Sequence, residues 1–232
     1  MLRLITDFDG PIMDVSDRYY SVYKMCLEKH KHPDQEIKQL SKSEFWQLKR
    51  SQVPETQIGT ISGLDARQAE LFAKMRRQTV HQLEHLEKDR PVAGAIETLE
   101  KVQKFKFDLV VMTMRREKEL NLALDRYDLH KYFPDDRRYC LGNEYVKTGD
   151  TKDKPLLMAR ALKELPPVKD TWMVGDTEAD IIAAKTHNIK VIGVLSGIRD
   201  RNNLDRYQPD FIVSNLDSAV NLIREKTKID SL

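Results

Sequence analysis

The sequence predicts an α/β protein: a doubly wound, mostly parallel sheet with an all-helical segment inserted after the first strand. Three observations predict it. The chain starts with a short apolar run, Leu2-Arg3-Leu4-Ile5-Thr6, of the kind found in a strand buried on both faces. Residues 14–88 then contain no strand candidate, only stretches of helical character. From Pro91 onward helices and short apolar strands alternate, which implies right-handed crossovers and a parallel sheet.

Taken in order, the first strand ends in Asp7-Phe8-Asp9-Gly10, where Gly10 permits a sharp exit. A helix follows, with Ser16 or Asp17 as its cap and Tyr19, Tyr20, Tyr23, Met25 and Leu27 along it. His30 to Pro33 is a break, residues 34–50 continue as helix, and Ser51 to Gly63 is loop-like because of Pro54, Gly59 and Gly63. A third helix spans 65–88, with Ala69, Leu71, Phe72, Met75, Val80, Leu83 and Leu86 near the 3.6 period. The core then reads as helix 94–104, strand 107–112, helix 118–127, strand 138–141, helix 153–165, strand 171–174, helix 178–186, strand 190–194, strand 211–213 and a terminal helix over 217–226. The expected domains are a core of residues 1–13 and 89–232 and a helical unit of residues 14–88. Its two connections, Pro11 to Asp14 and Lys88 to Val92, are short and each holds a proline, so they suit a hinge that closes the insert over the catalytic edge.

Composition excludes several classes. With 232 residues, 33% charged and 40% apolar, the chain is long enough for a full soluble core. A net charge of +2, from 39 basic against 37 acidic residues, leaves no footprint for nucleic acid or a membrane surface. No run approaches a membrane span, and the start carries no signal-peptide pattern. Cys26 and Cys140 lie far apart and are expected to be buried thiols in a reducing cytoplasm. His81 and His85 stand four residues apart on the expected third helix. No third ligand is suggested, so a solvated face is preferred to zinc. Lys49-Arg50 and Arg76-Arg77 are expected to be solvated charges, and Phe45 and Trp46 to pack the helical unit.

Ligands of such sheets bind at the carboxyl ends of the strands. Those ends carry Asp7 and Asp9; Thr113 followed by Met114, Arg115 and Arg116; and Gly175-Asp176-Thr177-Glu178-Ala179-Asp180. Lys152-Asp153-Lys154-Pro155 precedes one of the helices. Two carboxylates two residues apart on a strand point the same way and repel each other unless a cation intervenes, and hard oxygen ligands suit Mg²⁺. The set suits phosphoryl transfer. Asp7, ionised at neutral pH with a reference pKa of about 4, needs no base to act as a nucleophile. Mg²⁺ held by Asp7 and Asp176 would screen a phosphate dianion. Lys154 adds charge, Thr113 a hydroxyl donor, and Asp9 is placed to protonate the leaving oxygen and then activate water. Asp180, one helical turn after Asp176, can brace Lys154 or a metal-bound water.

These four motifs, in this order, resemble those of the haloacid dehalogenase superfamily, specifically phosphoglycolate-phosphatase-like members with a helical cap after the first strand. Asp7-Phe8-Asp9-Gly10 is similar to the first motif, Thr113 to the second, Lys154-Pro155 to the third and Gly175 to Asp180 to the fourth. The resemblance implies an Mg²⁺-dependent phosphoric monoester hydrolase acting on a small phosphorylated metabolite through an aspartyl-phosphate. It also implies Asp7 as nucleophile, Asp9 as acid/base, and Mg²⁺ held by Asp7, the backbone carbonyl of Asp9 and Asp176. Pro11 stands where the family usually has Thr, and Met114-Arg115-Arg116 replaces a small polar stretch, so either arginine is a possible substrate contact. Lys154 is preferred to Lys152 for the third motif because Pro155 suits a first helical turn. A phosphomutase on the same core, or a catalytically silent binding or regulatory protein, is the alternative. A dehalogenase leaves Asp9 and Asp176 without a purpose, and a phosphonate hydrolase needs an imine-forming lysine that nothing marks among Lys24, Lys29 and Lys42. Substrate identity and oligomeric state stay open.

Overall fold

The structure is a computed structural model that describes residues 1–228; the last four positions of the expected core, 229–232, lie outside the described residues. Strand β1 (Leu2–Thr6) occupies the middle of a six-stranded sheet, and its register is parallel to both neighbours. The other five strands are β4 (Asp108–Arg116), β5 (Arg138–Leu141), β6 (Asp170–Gly175), β7 (Lys190–Val194) and β8 (Phe211–Val213), all paired in parallel. The order β5-β4-β1-β6-β7-β8 means that the chain leaves β1 for one side of the sheet and later returns on the other. That reversal opens a crevice at the carboxyl end of β1.

Successive side chains of β1 face opposite layers. Leu2 and Leu4 join Leu109, Val111, Trp172 and Val174 under helices α6 (Ala95–Lys104), α7 (Glu117–Arg126) and α11 (Leu216–Thr227). Ile5 joins Val110, Met112, Met173 and Val191 under α8 (Asp150–Glu164) and α9 (Glu178–Thr186). Strands buried on both faces explain the near-continuous apolar runs. A short helix, α10 (Arg201–Asp205), precedes β8.

At the opposite end of β1 a buried charge cluster closes the core. Arg3 Nη2 lies 2.6 Å from Asp108 Oδ2, and Arg137 Nε donates to Asp108 Oδ1 at 2.6 Å. Burial pushes the Asp108 carboxyl up, but Arg137 and Arg3 outweigh it and hold it below its ordinary range. A depressed folded value means a contribution present at neutral pH and lost as pH falls through that value. Asp108→Asn is therefore expected to cost about 3 kcal/mol near neutral pH, by leaving two guanidinium groups short of a partner. Urea unfolding followed from about pH 7 to about pH 2 should show the gap from the parent closing at the acid end. A gap independent of pH would assign the loss to packing rather than charge.

The described residues divide into two compact units, one of residues 1–14, 90–197 and those from 201 onward, the other of residues 15–89 and 198–200. Within the first, β2 (Met13–Asp14) and β3 (Arg90–Pro91) form an antiparallel two-stranded ribbon, where the sequence predicts short hinge connections and no strand. Its pairing places both chain connections side by side, with Val92 N donating to Ile12 O at 2.8 Å.

The second unit consists of α1 (Ser16–His30), α2 (Lys42–Arg50), α3 (Glu55–Ile61), α4 (Ala66–Thr79) and α5 (Leu83–Leu86), packed around Val22, Tyr23, Phe45, Ile58 and Phe72. Several sequence boundaries are corrected here. Val15 rather than Ser16 or Asp17 occupies the N-cap of α1, with no side-chain cap. Residues 34–41 are not helical, and α2 starts only where Ser41 and Glu44 form a capping box. The loop expected over 51–63 contains α3. The expected third helix breaks after Thr79, so His81 and His85 do not share a helix face; His81 Nδ1 lies 3.4 Å from Arg18 instead. Arg76 and Lys49 are not solvated: Arg76 is 1% exposed, its Nε is 3.1 Å from Glu55 Oε2, and Lys49 pairs with the same carboxylate. Burial pushes the Lys49 ammonium below its usual range. The cluster ties α2, α3 and α4 together. No helix among the described residues is long and apolar enough to cross a membrane. Both cysteines are free thiols, Cys26 buried and Cys140 half-buried.

Candidate active site

Asp7 follows directly on β1, and its N–H donates to Val174 O of β6 at 2.8 Å, so the carboxylate stands at the crevice. Its own Oδ1 accepts the Phe8 N–H at 2.7 Å. The chain then turns tightly: Gly10 N donates to Met13 O at 2.8 Å, and Gly10 has φ +89°, open to glycine at little cost. The Ser196 hydroxyl donates to Gly10 O at 2.8 Å and ties this turn to the segment after β7.

Lys154 reaches the same place from α8. The helix begins at Asp150, earlier than expected, so Pro155 lies within it rather than in the first turn. Asp153 fixes the helix start by accepting from Thr148 N, Thr148 Oγ1 and Gly149 N at 2.8, 2.6 and 3.1 Å. Lys154, 1% exposed, then places Nζ 2.8 Å from Asp7 Oδ2 and in contact with Asp180 Oδ1. Lys152, the competing lysine, is exposed.

Asp180 Oδ2 accepts from Thr177 Oγ1 at 2.7 Å, Thr177 N at 3.0 Å and Asp176 N at 3.2 Å. It is the third residue of α9 and holds the loop that carries Asp176. Oxygens of Asp7, Asp176 and Asp180 lie within 4.8 Å of one another, all on buried residues. Two of these three carboxylates, those of Asp7 and Asp180, face the Lys154 ammonium. Burial pushes the Asp7 carboxyl well above its usual range; Lys154 works against this, and Asp180 and Asp176 push it higher. Burial also opposes the charge of Lys154, yet Asp180 and Asp7 hold its ammonium above its ordinary range. The ligand atoms that this cluster offers are all hard oxygens. It fits a divalent cation such as Mg²⁺, for which Asp7, Asp176 and Asp180 each offer a carboxylate oxygen.

Glycine shapes the space around Asp176. A Cβ on Gly197 would sit 1.9 Å from Asp176 Oδ2, and one on Gly10 2.4 Å from Asp176 Cγ. Nothing local in the sequence marks Gly197 for a close approach across the sheet edge. Gly197→Ala is expected to displace the Asp176 carboxylate and lower turnover by at least about tenfold. Gly142→Ala, where a Cβ meets nothing within 4 Å, should leave the rate unchanged. Equal rates for the two variants would show that Asp176 relocates without consequence.

Thr113 is buried and accepts the Arg115 N–H at 3.2 Å, which leaves its hydroxyl proton to donate. It does not end its strand: β4 continues to Arg116, with a shift of register against β5 between Met112 and Arg116. Of the two arginines there, Arg116 turns to Glu119, accepting at 3.4 Å from Nη1, and forms the start of α7. Arg115 is 3% exposed and places Nη2 2.6 Å and Nε 2.8 Å from Asp9 Oδ1. The structure therefore brings Asp7, Lys154, Asp176 and Asp180 into one cluster and joins Asp9 to Arg115.

The model of the haloacid dehalogenase-like hydrolase family matches residues 4–194, from β1 through β7. The chain belongs to the haloacid dehalogenase-like hydrolases. It is 28% identical over 162 residues to a phosphoglycolate phosphatase of Vibrio parahaemolyticus, covering 69% of this chain and 66% of that protein, just under two thirds of its length. It is 24% identical over 224 residues to a pyrophosphatase PpaX of Bacillus velezensis, covering 94% of each. Among solved structures, a haloacid dehalogenase-like family hydrolase from Streptococcus pneumoniae superposes with a TM-score of 0.67 at 17% identity, over 95% of this chain and 97% of that one. That likeness extends the haloacid dehalogenase-like fold over both units of the chain.

Proposed function

We propose that this haloacid dehalogenase-like hydrolase is an Mg²⁺-dependent phosphatase that hydrolyses a small phosphomonoester through an aspartyl-phosphate on Asp7. The observation that carries the reading is the Asp7 carboxylate at the carboxyl end of β1, 2.8 Å from a buried lysine and clustered with Asp176 and Asp180. The names of the relatives, a phosphoglycolate phosphatase and a pyrophosphatase, support a phosphorylated substrate.

Asp7, Asp176 and the Asp9 carbonyl would hold Mg²⁺, which when bound supplies positive charge against the phosphoryl oxygens. Asp7 uses one carboxylate oxygen to attack phosphorus, and the bond from phosphorus to the ester oxygen breaks. Asp9 gives its proton to that departing oxygen. Lys154 and the Thr113 hydroxyl receive charge that builds on the transferring group. Asp9, now ionised, takes a proton from water; the water oxygen attacks phosphorus, the acyl-phosphate bond breaks, and Asp7 is regenerated with release of phosphate. Asp180 keeps Lys154 and the Asp176 loop in place throughout. The helical unit of residues 15–89 selects among esters, the role expected of an insert between the first strand and the rest of the sheet.

The test is hydrolysis of p-nitrophenyl phosphate by chelator-treated protein, with and without added Mg²⁺, followed by a panel including 2-phosphoglycolate and inorganic pyrophosphate. Turnover restored by Mg²⁺ is the expected result. Absence of phosphate release from every compound, with folded protein and Mg²⁺ present, would overturn the reading.

A further inference from the structure

We propose that Arg115 is the positioning residue for Asp9, holding the carboxylate in the orientation from which it serves the leaving oxygen. This rests on the acid role given to Asp9 above. The two N–H groups that Arg115 directs at Asp9, from Nε at 2.8 Å and Nη2 at 2.6 Å, meet the same oxygen, Oδ1. A planar fork that meets one oxygen from two sides fixes where that oxygen sits and how far it stands from the strand.

The fork is itself anchored. The Arg115 guanidinium lies 5.1 Å from the centre of the Phe8 ring, and Phe8 is fully buried between the two site carboxylates in sequence. Its Nη1 donates to the Glu119 carbonyl in α7 at 3.4 Å. The side chain is thus gripped by the residue next to Asp9 and by the helix after its own strand. Asp9, by contrast, keeps 27% of its side chain exposed, against 10% for Asp7. An acid at an open turn needs a fixed partner if its carboxylate is to meet substrate in one geometry.

The strand explains why this arginine reaches the turn. The register of β4 against β5 shifts between Met112 and Arg116, the kind of irregularity that re-aims a side chain beside a site. Arg115, inside that interval, goes to Asp9, while Arg116 goes to Glu119. At 3% exposure Arg115 is not a solvated charge.

A mispositioned acid has a specific kinetic signature. Departure of p-nitrophenolate needs little protonation, whereas departure of an alkoxide needs a proton in the transition state. The experiment compares kcat/KM for p-nitrophenyl phosphate and ethyl phosphate, with Mg²⁺ present, in the parent, Arg115→Met, Arg115→Lys, Asp9→Asn and the double variant Arg115→Met/Asp9→Asn. Arg115→Met is expected to lose about a hundredfold on ethyl phosphate and less than about threefold on p-nitrophenyl phosphate. Arg115→Lys, which keeps the charge but not the fork, should show a smaller loss with the same selectivity. In the double variant the arginine change should add nothing to Asp9→Asn. Equal losses on both esters, or additive losses in the double variant, would overturn the proposal. So would a selective loss in Asp9→Asn with none in either arginine variant, and that outcome leaves the acid role standing. Equal losses on both esters in Asp9→Asn overturn the acid role and the positioning role together. Arg115→Lys decides the matter should Arg115→Met fail to fold.

Discussion

Asp7→Asn is expected to lose at least about a thousandfold in turnover, a barrier increase of about 4 kcal/mol, while the protein stays folded. The amide has no free anionic oxygen to form the acyl-phosphate bond. The substitution is nearly isosteric, and its carbonyl oxygen can still accept the Phe8 N–H now 2.7 Å from Asp7 Oδ1. Stability should move the other way from activity. Asp7 is buried against Asp176 and Asp180, so removing its charge relieves repulsion, and Lys154 retains Asp180 as a partner. A Tm at or above the parent value, with turnover lost, would separate nucleophile from scaffold. Retention of more than about a tenth of the rate would exclude Asp7 as the nucleophile, because losing a covalent catalyst costs several kcal/mol. Covalent trapping gives an independent check. Denaturing the parent during turnover of a ³²P-labelled ester should leave acid-stable, base-labile label on the chain, and Asp7→Asn should leave none.

Much of this site was legible in the sequence because its parts stand at strand ends. Short apolar runs such as Leu2 to Ile5 and Trp172 to Val174 have one stable use in a chain of this pattern, and the acid that closes each strand then stands at the crevice. Asp7 and Asp176 could be placed that way without knowing a single contact. The helical unit was less legible because its boundaries depend on tertiary packing. Helix α3 holds Pro54 at its N-cap and Gly59 inside, both of which speak for a loop. Gly59 is there because a Cβ would meet Phe72 Cδ1 at 3.1 Å and Ala69 Cβ at 3.2 Å, so the small residue permits close approach of α4. Arg76 and Lys49 looked solvated because each sits in a basic pair, and only the fold brings Glu55 between them. The bond from Arg115 to Asp9 was out of reach for the same reason. It depends on a register shift in β4 that no local residue signals.

The largest effect on stability is expected from Lys154→Met. The methionine fills similar volume, so the change removes a charge more than it removes packing. What it leaves is a buried cluster of Asp7, Asp176 and Asp180 without the ammonium that contacts Asp7 and Asp180. Breaking one side of a buried ion pair costs about 3–5 kcal/mol, and turnover should fall with it because the transferring group loses a point charge. The pH dependence identifies the cause. The folded ammonium is held above its ordinary range, so its contribution is complete below its unfolded value of about 10.4 and constant across the neutral region. Any change in the gap between variant and parent on mild acidification therefore comes from the carboxylates. The Asp7 carboxyl lies well above its usual range even with the lysine present, and without Lys154 it loses the nearby charge that lowers it. A raised carboxyl takes up its proton early as pH falls, which relieves repulsion in the folded state. The variant should accordingly gain on the parent between about pH 7 and about pH 5. Added Mg²⁺ should raise its Tm more than that of the parent, since the cluster then lacks a further positive charge. Thermal melts over this pH range, with and without Mg²⁺, test both points; a gap unaffected by acid and by Mg²⁺ would mean that Lys154 supports the fold by packing alone.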